Sequence, residues 1–350
     1  MTGAGRRPAR RRRQAGVVLL VVLFFALLLT TSVATFMRRS TIDSMIARNR
    51  DASARAETLA RGGVRLAAAL LAADALSEAG DGVQMATEAD PWSLIGQQVI
   101  ETEDGATLRL RIHDMGNRVN LNALPLGDGA APPEETRLFL RALLEKVILE
   151  LPLDPAEKAL YLHEELADNL IDWLDPDDVR LRGGPEDAWY QEQDPPYRAA
   201  NRPLLSVDEL RLVEGFDGTL VDGLRPYVTV HPWSGSEGGI NPNTAPPHIL
   251  GLLYYFDGVT WGFVGEDEVR EILSVREEGG LICEGQSAEG CTPMSSILGA
   301  GRQIFPEPSY QSRMFLVEAD ARVGDVRRRI ETVMDRENLF PPLLLSWNVR

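Results

Sequence analysis

The chain has 350 residues, enough for two or three compact units, with 44% hydrophobic residues and a formal net charge of −16. That acidic balance excludes a nucleic-acid-binding surface, whose affinity rests on neutralising phosphates with Lys and Arg, and it suits the binding of cations. The charge is unevenly placed. Arg6, Arg7, Arg10, Arg11, Arg12 and Arg13 precede a run from Ala15 to Met37 without any charge, and Arg38-Arg39 closes it. At about 1.5 Å per residue the run spans roughly 35 Å as a helix, enough to cross a hydrocarbon core of about 30 Å. Arginines on its N-terminal side favour a cytoplasmic N-terminus, so the rest of the chain is expected to be exported.

The helical pattern continues to about Leu76. Ile46, Ala54, Leu59, Val64, Leu66, Leu70 and Leu71 recur with Arg and Glu between them and no proline. Gly62-Gly63 is its weak point, at about 1 kcal/mol per Gly relative to Ala, and Gly80-Asp81-Gly82 ends it. Residues 97–100 and 107–112 read as strands around an Asp104-Gly105 turn; Leu108, Leu110 and Ile112 alternate with Arg109 and Arg111. Residues 134–150, 155–172, 206–214 and 218–225 read as helices. Asp154-Pro155 starts one, and Ser206 with Glu209 three residues on is a capping-box pattern. A second helical unit is expected over 243–301, and residues 314–318 and 326–334 return the chain to a sheet around Val323-Gly324-Asp325.

Ala15-Gly16 is a small-residue junction that lies before the apolar run and not after it. That order differs from a secretory signal and resembles a type IV prepilin leader. Internal residues agree. Asn120-Leu121-Asn122-Ala123, Leu170-Ile171-Asp172-Trp173-Leu174-Asp175, Gly184-Pro185-Glu186-Asp187, Pro196-Tyr197-Arg198, Ser206-Val207-Asp208-Glu209-Leu210 and Ile240-Asn241-Pro242-Asn243-Thr244-Ala245-Pro246-Pro247 together resemble the type II secretion system minor pseudopilin K family, in its order, to about residue 250. Beyond that the resemblance is one of layout.

The resemblance implies an α+β, type IV pilin-like fold: a long N-terminal transmembrane helix packed on a small antiparallel sheet, with a large α-helical insertion that is SAM-like or helix-hairpin-helix-like. The divisions are a leader (1–16), a transmembrane helix (17–37), a periplasmic helix with the first strands (38–119), a first SAM-like domain (120–235), a second SAM-like unit (236–305) and the C-terminal strands (306–350). It implies prepilin-peptidase cleavage between Gly16 and Val17 and N-methylation of Val17. Loss of residues 1–16, with six arginines and no acid, would take the formal charge from −16 to −22. Val21 would stand at the fifth mature position, where most of the wider superfamily has Glu, a departure that marks the K branch. The implied role is assembly at the tip of the periplasmic pseudopilus with minor pseudopilins I and J. Pseudopilin H, the major pseudopilin and the inner-membrane secretion platform are further candidate contacts. The implied location is the bacterial inner membrane, single-pass, with most of the chain periplasmic and no enzymatic activity. A type IV pilus minor pilin, which would normally keep that Glu, and a membrane-anchored periplasmic Ca²⁺-dependent binding protein are the alternatives.

The acidic tract from Glu164 to Asp194 is the candidate ligand site. It holds eleven carboxylates against Arg180 and Arg182, and Asp168, Asp172 and Asp175 share one helical face. Acids gathered at a helix C-terminus meet the negative end of its dipole, unfavourable unless a cation is bound, and hard oxygen ligands in a loop suit Ca²⁺. The tract is not an EF-hand: counting from Asp175, Arg180 stands where glycine is needed. The resemblance also implies calcium here, with Asp172, Asp175, Asp177, Asp178, Glu186 and Asp187 as candidate ligands. Cys283 and Cys291 are expected to form a disulfide in an exported chain. The four histidines are dispersed, and Ala167 stands where a zinc-protease helix begun at His163-Glu164 needs its second histidine.

Overall fold

The computed structural model describes residues 14–81, 85–126, 133–232, 239–285, 291–336 and 341–350. One helix, α1 (Gln14–Asp81), carries the uncharged run and continues into the folded part. Residues 17–51 are exposed on every side. Beyond them Ala60, Val64, Ala67 and Leu71 recur at helical spacing and are buried. After α1 come α2 (Pro91–Leu94), a 3-10 turn (Ile95–Gln97), β1 (Ile100–Glu101) and β2 (Thr107–Asp114). The first strand therefore begins at Ile100, and the expected strand over 97–100 is largely replaced by that turn, with the Gln98 N–H bonded back to Ile95 at 3.2 Å.

A short β3 (Val119–Asn120) leads into α3 (Glu134–Glu150), α4 (Pro155–Lys158), α5 (His163–Leu174), α6 (Asp187–Tyr190), α7 (Gly218–Leu224) and β4 (Val228–Thr229), which pairs parallel with β3. The expected helix over 155–172 breaks in two. Asp154 and Glu157 form a reciprocal capping box, and turns at Leu160 and Tyr161 then close α4 before α5 begins. Ser206 does not cap: the 3-10 helix Val207–Leu212 lacks a side-chain bond from it, and the Glu209 carboxylate instead accepts from the Leu205 N–H at 2.8 Å and pairs with Arg202 at 3.0 Å.

The stretch expected to be a second helical unit is mixed. It comprises α8 (Pro247–Leu250), β5 (Tyr254–Phe256), β6 (Trp261–Phe263), α9 (Glu266–Glu277), β7 (Leu281–Cys283), β8 (Cys291–Pro293), α10 (Met294–Leu298) and β9 (Gln303–Phe305). β5 is the centre of a small antiparallel sheet between β6 and β9. Its aromatic residues bury against α3, where Phe139 meets Tyr254, Phe263 and Phe305 with ring centroids 5.8, 6.5 and 5.8 Å apart. One continuous core therefore runs from Val119 to beyond Ile297 and joins the two insertions expected to be separate.

β10 (Met314–Val323), β11 (Val326–Asp335), β12 (Leu343–Leu344) and β13 (Asn348–Val349) complete the main antiparallel sheet, ordered β1-β2-β10-β11-β12 with β13 also on β11. Ala319 faces Leu110 on one side and Ile330 on the other. Alternation gives this face its core: Leu108, Leu110, Ile112, Phe315, Val317, Ala319 and Ala321 pack under α1. Gly63 lets the helix approach. A Cβ there would sit 3.0 Å from Leu108 and 3.2 Å from Ala319, so the glycine that weakens the isolated helix fits the packed one.

The two cores meet at a buried polar joint. At the end of β2, Asp114 accepts from the Gly116 N–H (2.8 Å), the Thr244 hydroxyl (2.5 Å) and the Asn241 amide (3.3 Å). Asn241 also donates to Ser312 at 3.0 Å. Burial pushes the Asp114 carboxyl up, and these bonds pull against it.

Candidate metal centre

α5 is amphipathic, burying Leu166, Leu170, Ile171 and Leu174 in the core it shares with α3 while ending in acids. Asp172 lies in its last turn and Asp175 is its C-cap. The chain then turns back. Gly183 and Gly184 adopt φ of 85° and 96°, which most side chains avoid, and Val179 bridges to Pro185. This return places Glu186 over the end of α5. Ligand oxygens of Asp172, Asp175 and Glu186 all lie within 4.8 Å of one another, and all three residues are buried.

These carboxylates are poorly satisfied. Asp172 accepts from the Leu181 N–H at 2.9 Å. One oxygen of Asp175, both oxygens of Glu186 and the side-chain oxygen of Asn201 are buried without a hydrogen-bond partner. Buried acceptors left unpaired this close to a cluster of carboxylates are costly unless a cation or ordered water meets them. Burial, and next the charges of Asp177 and Asp172, push the Asp175 carboxyl up to about 6. Burial, and next Asp175 and Asp172, push Glu186 up to about 8. Asp172 is also raised, chiefly by burial. The donor set, carboxylate and amide oxygens without His or Cys, fits a hard cation such as Ca²⁺.

The remaining acids are placed differently. Asp168 leaves the face it shares with Asp172 and pairs with Arg137 at 2.9 Å, Arg182 at 3.2 Å and Arg141 at 3.6 Å. Asp177 accepts from the Val179 N–H at 2.7 Å. Asp178 holds the Asn201 amide at 3.3 Å. Asp187 accepts from the Ala199 N–H at 3.1 Å and lies 3.6 Å from Arg198, so it braces the neighbouring loop. Asn201, with φ of 44° and its N–H on the Trp173 carbonyl at 3.0 Å, is the contributor that sequence reasoning missed. Nothing in its local sequence marks it, because the loop reaches the site only through the fold. That loop is held by Asn122, whose side chain accepts from the Leu204 N–H (2.8 Å) and donates to the Leu204 carbonyl (2.9 Å).

Elsewhere, Cys283 and Cys291 are bridged, with Cα atoms 6.0 Å apart, and join β7 to β8. Gly16 and Val17 lie in the first turn of α1; most of the leader, residues 1–13, falls outside the described residues. α1 contains the one helix among the described residues long and apolar enough to cross a membrane.

A long apolar helix that fits a single-pass membrane anchor, continuous with a domain of mixed helix and sheet, defines the class as an α+β subunit. Residues 117–233 match the family model described as type II secretion system (T2SS), protein K. The chain is 32% identical to type II secretion system protein K of Aeromonas hydrophila over 252 residues, 69% of this chain and 70% of that one. It is 28% identical to the Pseudomonas aeruginosa protein over 282 residues, 79% and 75% of the two chains. Its fold resembles a chain in the crystal structure of the GspK-GspI-GspJ complex from the enterotoxigenic Escherichia coli type 2 secretion system, with a TM-score of 0.55, 20% identity and coverage of 89% and 99%. The chain belongs to the type II secretion system protein K family, and is a minor pseudopilin of that system.

Proposed function

We propose that this subunit sits at the tip of a periplasmic pseudopilus, where it initiates or caps assembly with minor pseudopilins I and J. The crystal structure of the GspK-GspI-GspJ complex gives that partnership for its fold relative. In this reading the α1-on-sheet layer is the pilin-like domain, the lobe around α3 to α10 is the SAM-like insertion, and the chain crosses the inner membrane once with the lobe outside. A prepilin peptidase cuts after Gly16, and Val17 becomes the methylated N-terminus.

The observation that carries the reading is α1. It is bare from residue 17 to residue 51 and packed above that point, so half of the helix has no partner among the described residues. A lobe built on the far end of such a helix would block addition of a further subunit above it, which is a physical reason for a tip position. Ca²⁺ held by Asp172, Asp175 and Glu186, with Asn201 beside them, would be structural: it would tie the end of α5 to the returning loop. The test is isolation of the full chain from membranes with tagged subunits I and J, together with mass spectrometry of its N-terminus. Recovery of all three, with Val17 at the N-terminus and methylated, is expected. Failure to capture either partner would remove the tip assignment.

A further inference from the structure

Between the two cores the chain passes at 113–118 and again at 306–313, and the crossings lie side by side, since Asp114 pairs with Phe315. A unit inserted through two adjacent crossings has a hinge there, and relative motion is the ordinary expectation unless a large apolar interface prevents it. The seam here is polar instead. Asp114, Asn241, Thr244, Ser312 and Arg336 are all buried at it. Their bonds run in series from lobe to base. The Thr244 hydroxyl and the Asn241 amide, both from the lobe, donate to Asp114 at the end of β2, at 2.5 and 3.3 Å. The Asn241 N–H donates to the Gly116 carbonyl at 2.8 Å, and its amide reaches Ser312 on the second crossing at 3.0 Å. Arg336, just past β11, donates to the Ser312 carbonyl at 2.6 Å and to Asp74 of α1 at 2.7 Å.

A second tie comes from the segment after α1. It is held in the base by Trp92, whose ring lies 5.0 Å from that of Phe315. From there the Ala86 carbonyl accepts from Asn241 at 3.5 Å, and Glu88 pairs with Arg276 of α9 at 2.8 Å. Arg276 also donates to the Ala245 carbonyl at 2.6 Å. Hydrogen bonds fix direction as well as distance, whereas apolar contact is non-directional and lets surfaces slide. Asp114 is the one group at which these bonds meet. A carboxylate only accepts, so it takes the Gly116, Asn241 and Thr244 donors and the Ser312 hydroxyl at once. An amide of the same shape would turn its own NH₂ toward at least one of them and leave that donor unpaired.

We propose that this seam is a locked elbow: the Asp114 carboxylate, through Asn241, Ser312 and Arg336, fixes the angle of the lobe on α1, so that the membrane helix and the lobe turn as one body. The lock is a property of this chain alone and holds whether or not the subunit stands at a tip. At a tip it has a use, because a lobe swinging on its crossings would move aside for an added subunit and a locked one would not. The test is pulsed electron paramagnetic resonance on the full chain in detergent. One pair of spin labels spans the seam, at Glu103→Cys and Val259→Cys, and a control pair lies within the lobe, at Leu160→Cys and Val259→Cys; all three sites are exposed. The parent should give a distance peak across the seam as narrow as the one within the lobe. In Asp114→Asn the peak across the seam should widen about twofold or more, the freedom of an inserted unit on a small interface, while the control pair stays unchanged. A broad peak across the seam in the parent would overturn the lock, as would an unchanged width in a folded Asp114→Asn variant. Equal widening of both pairs would also overturn it, since the lobe itself would then have loosened. If Asp114→Asn loses the circular dichroism of the parent, Thr244→Val decides: it removes one donor and keeps the volume, and an unwidened peak there overturns the lock.

Discussion

At the residue scale the decisive group is Glu186. Its carboxyl is buried beside Asp175 and Asp172, and neither oxygen has a partner of good hydrogen-bond geometry, the Asn201 amide nearby only partly offsetting the burial. A carboxyl whose folded-state pKa is raised holds a proton in the native chain that the unfolded chain has already lost. The metal-free protein therefore keeps this stability below the ordinary values, 3.8 for Asp175 and 4.5 for Glu186, and loses it as pH rises through about 6 for Asp175 and about 8 for Glu186. A bound cation reverses this trend, since it needs the ionised oxygens. Calcium should thus raise the melting temperature more at pH 8 than at pH 6, and binding should release protons, seen by calorimetry in buffers of different ionisation enthalpy. At a hundredfold excess over Kd the gain is about 2.7 kcal/mol. Glu186→Gln should melt higher than the parent without metal at pH 8 and respond less to calcium. Identical melting with and without calcium across this range, with no metal by elemental analysis, would leave the tract a solvated loop.

Among the elements, α1 and α3 each serve two surfaces. α1 gives Ala60, Val64, Ala67 and Leu71 to its own sheet, while Leu66 is 37% exposed and Leu59 and Leu70 only border the core. The stripe Leu59, Leu66, Leu70, at i, i+7 and i+11, therefore does not belong to the buried face. Leu66→Asp should leave the circular dichroism of the domain unchanged and weaken copurification with I and J, since burying such a side chain contributes roughly 1.5–3 kcal/mol. A folded variant that still captures both partners would take this flank out of the interface. α3 holds the lobe together through Phe139. Phe139→Ala should destabilise by about 3–5 kcal/mol and lower a single unfolding transition of the whole lobe. Two separate transitions would mean that the helical and mixed halves fold independently despite their shared core.

For the whole molecule, the expected processing step is testable without further structure. Gly16→Leu should leave a precursor longer by the sixteen leader residues, held in the membrane and unable to assemble; unchanged mobility with normal secretion would end the leader assignment. Much of the architecture was legible beforehand. The uncharged run, the alternation of Leu108, Leu110 and Ile112, the helix over 134–150 and the return to strands after residue 314 all depend on local periodicity, which a chain carries in its own order. The fine structure of 97–100, the break between α4 and α5 and the uncapped Ser206 depended on neighbours that no local pattern names. The strands of the unit after Asn243 are three residues each, and β5, β6 and β9 gain stability from aromatic contacts with α3, more than a hundred positions earlier in the chain, so their own sequence could not announce them. The acidic tract was visible as composition. Which of its acids converge was decided only by the fold: three arginines draw Asp168 aside, two glycines return Glu186 to the end of α5, and Asn201 arrives on a loop fixed by Asn122. Sequence sets charge and periodicity, whereas the position of a ligand oxygen to within a few ångströms is set by long-range packing.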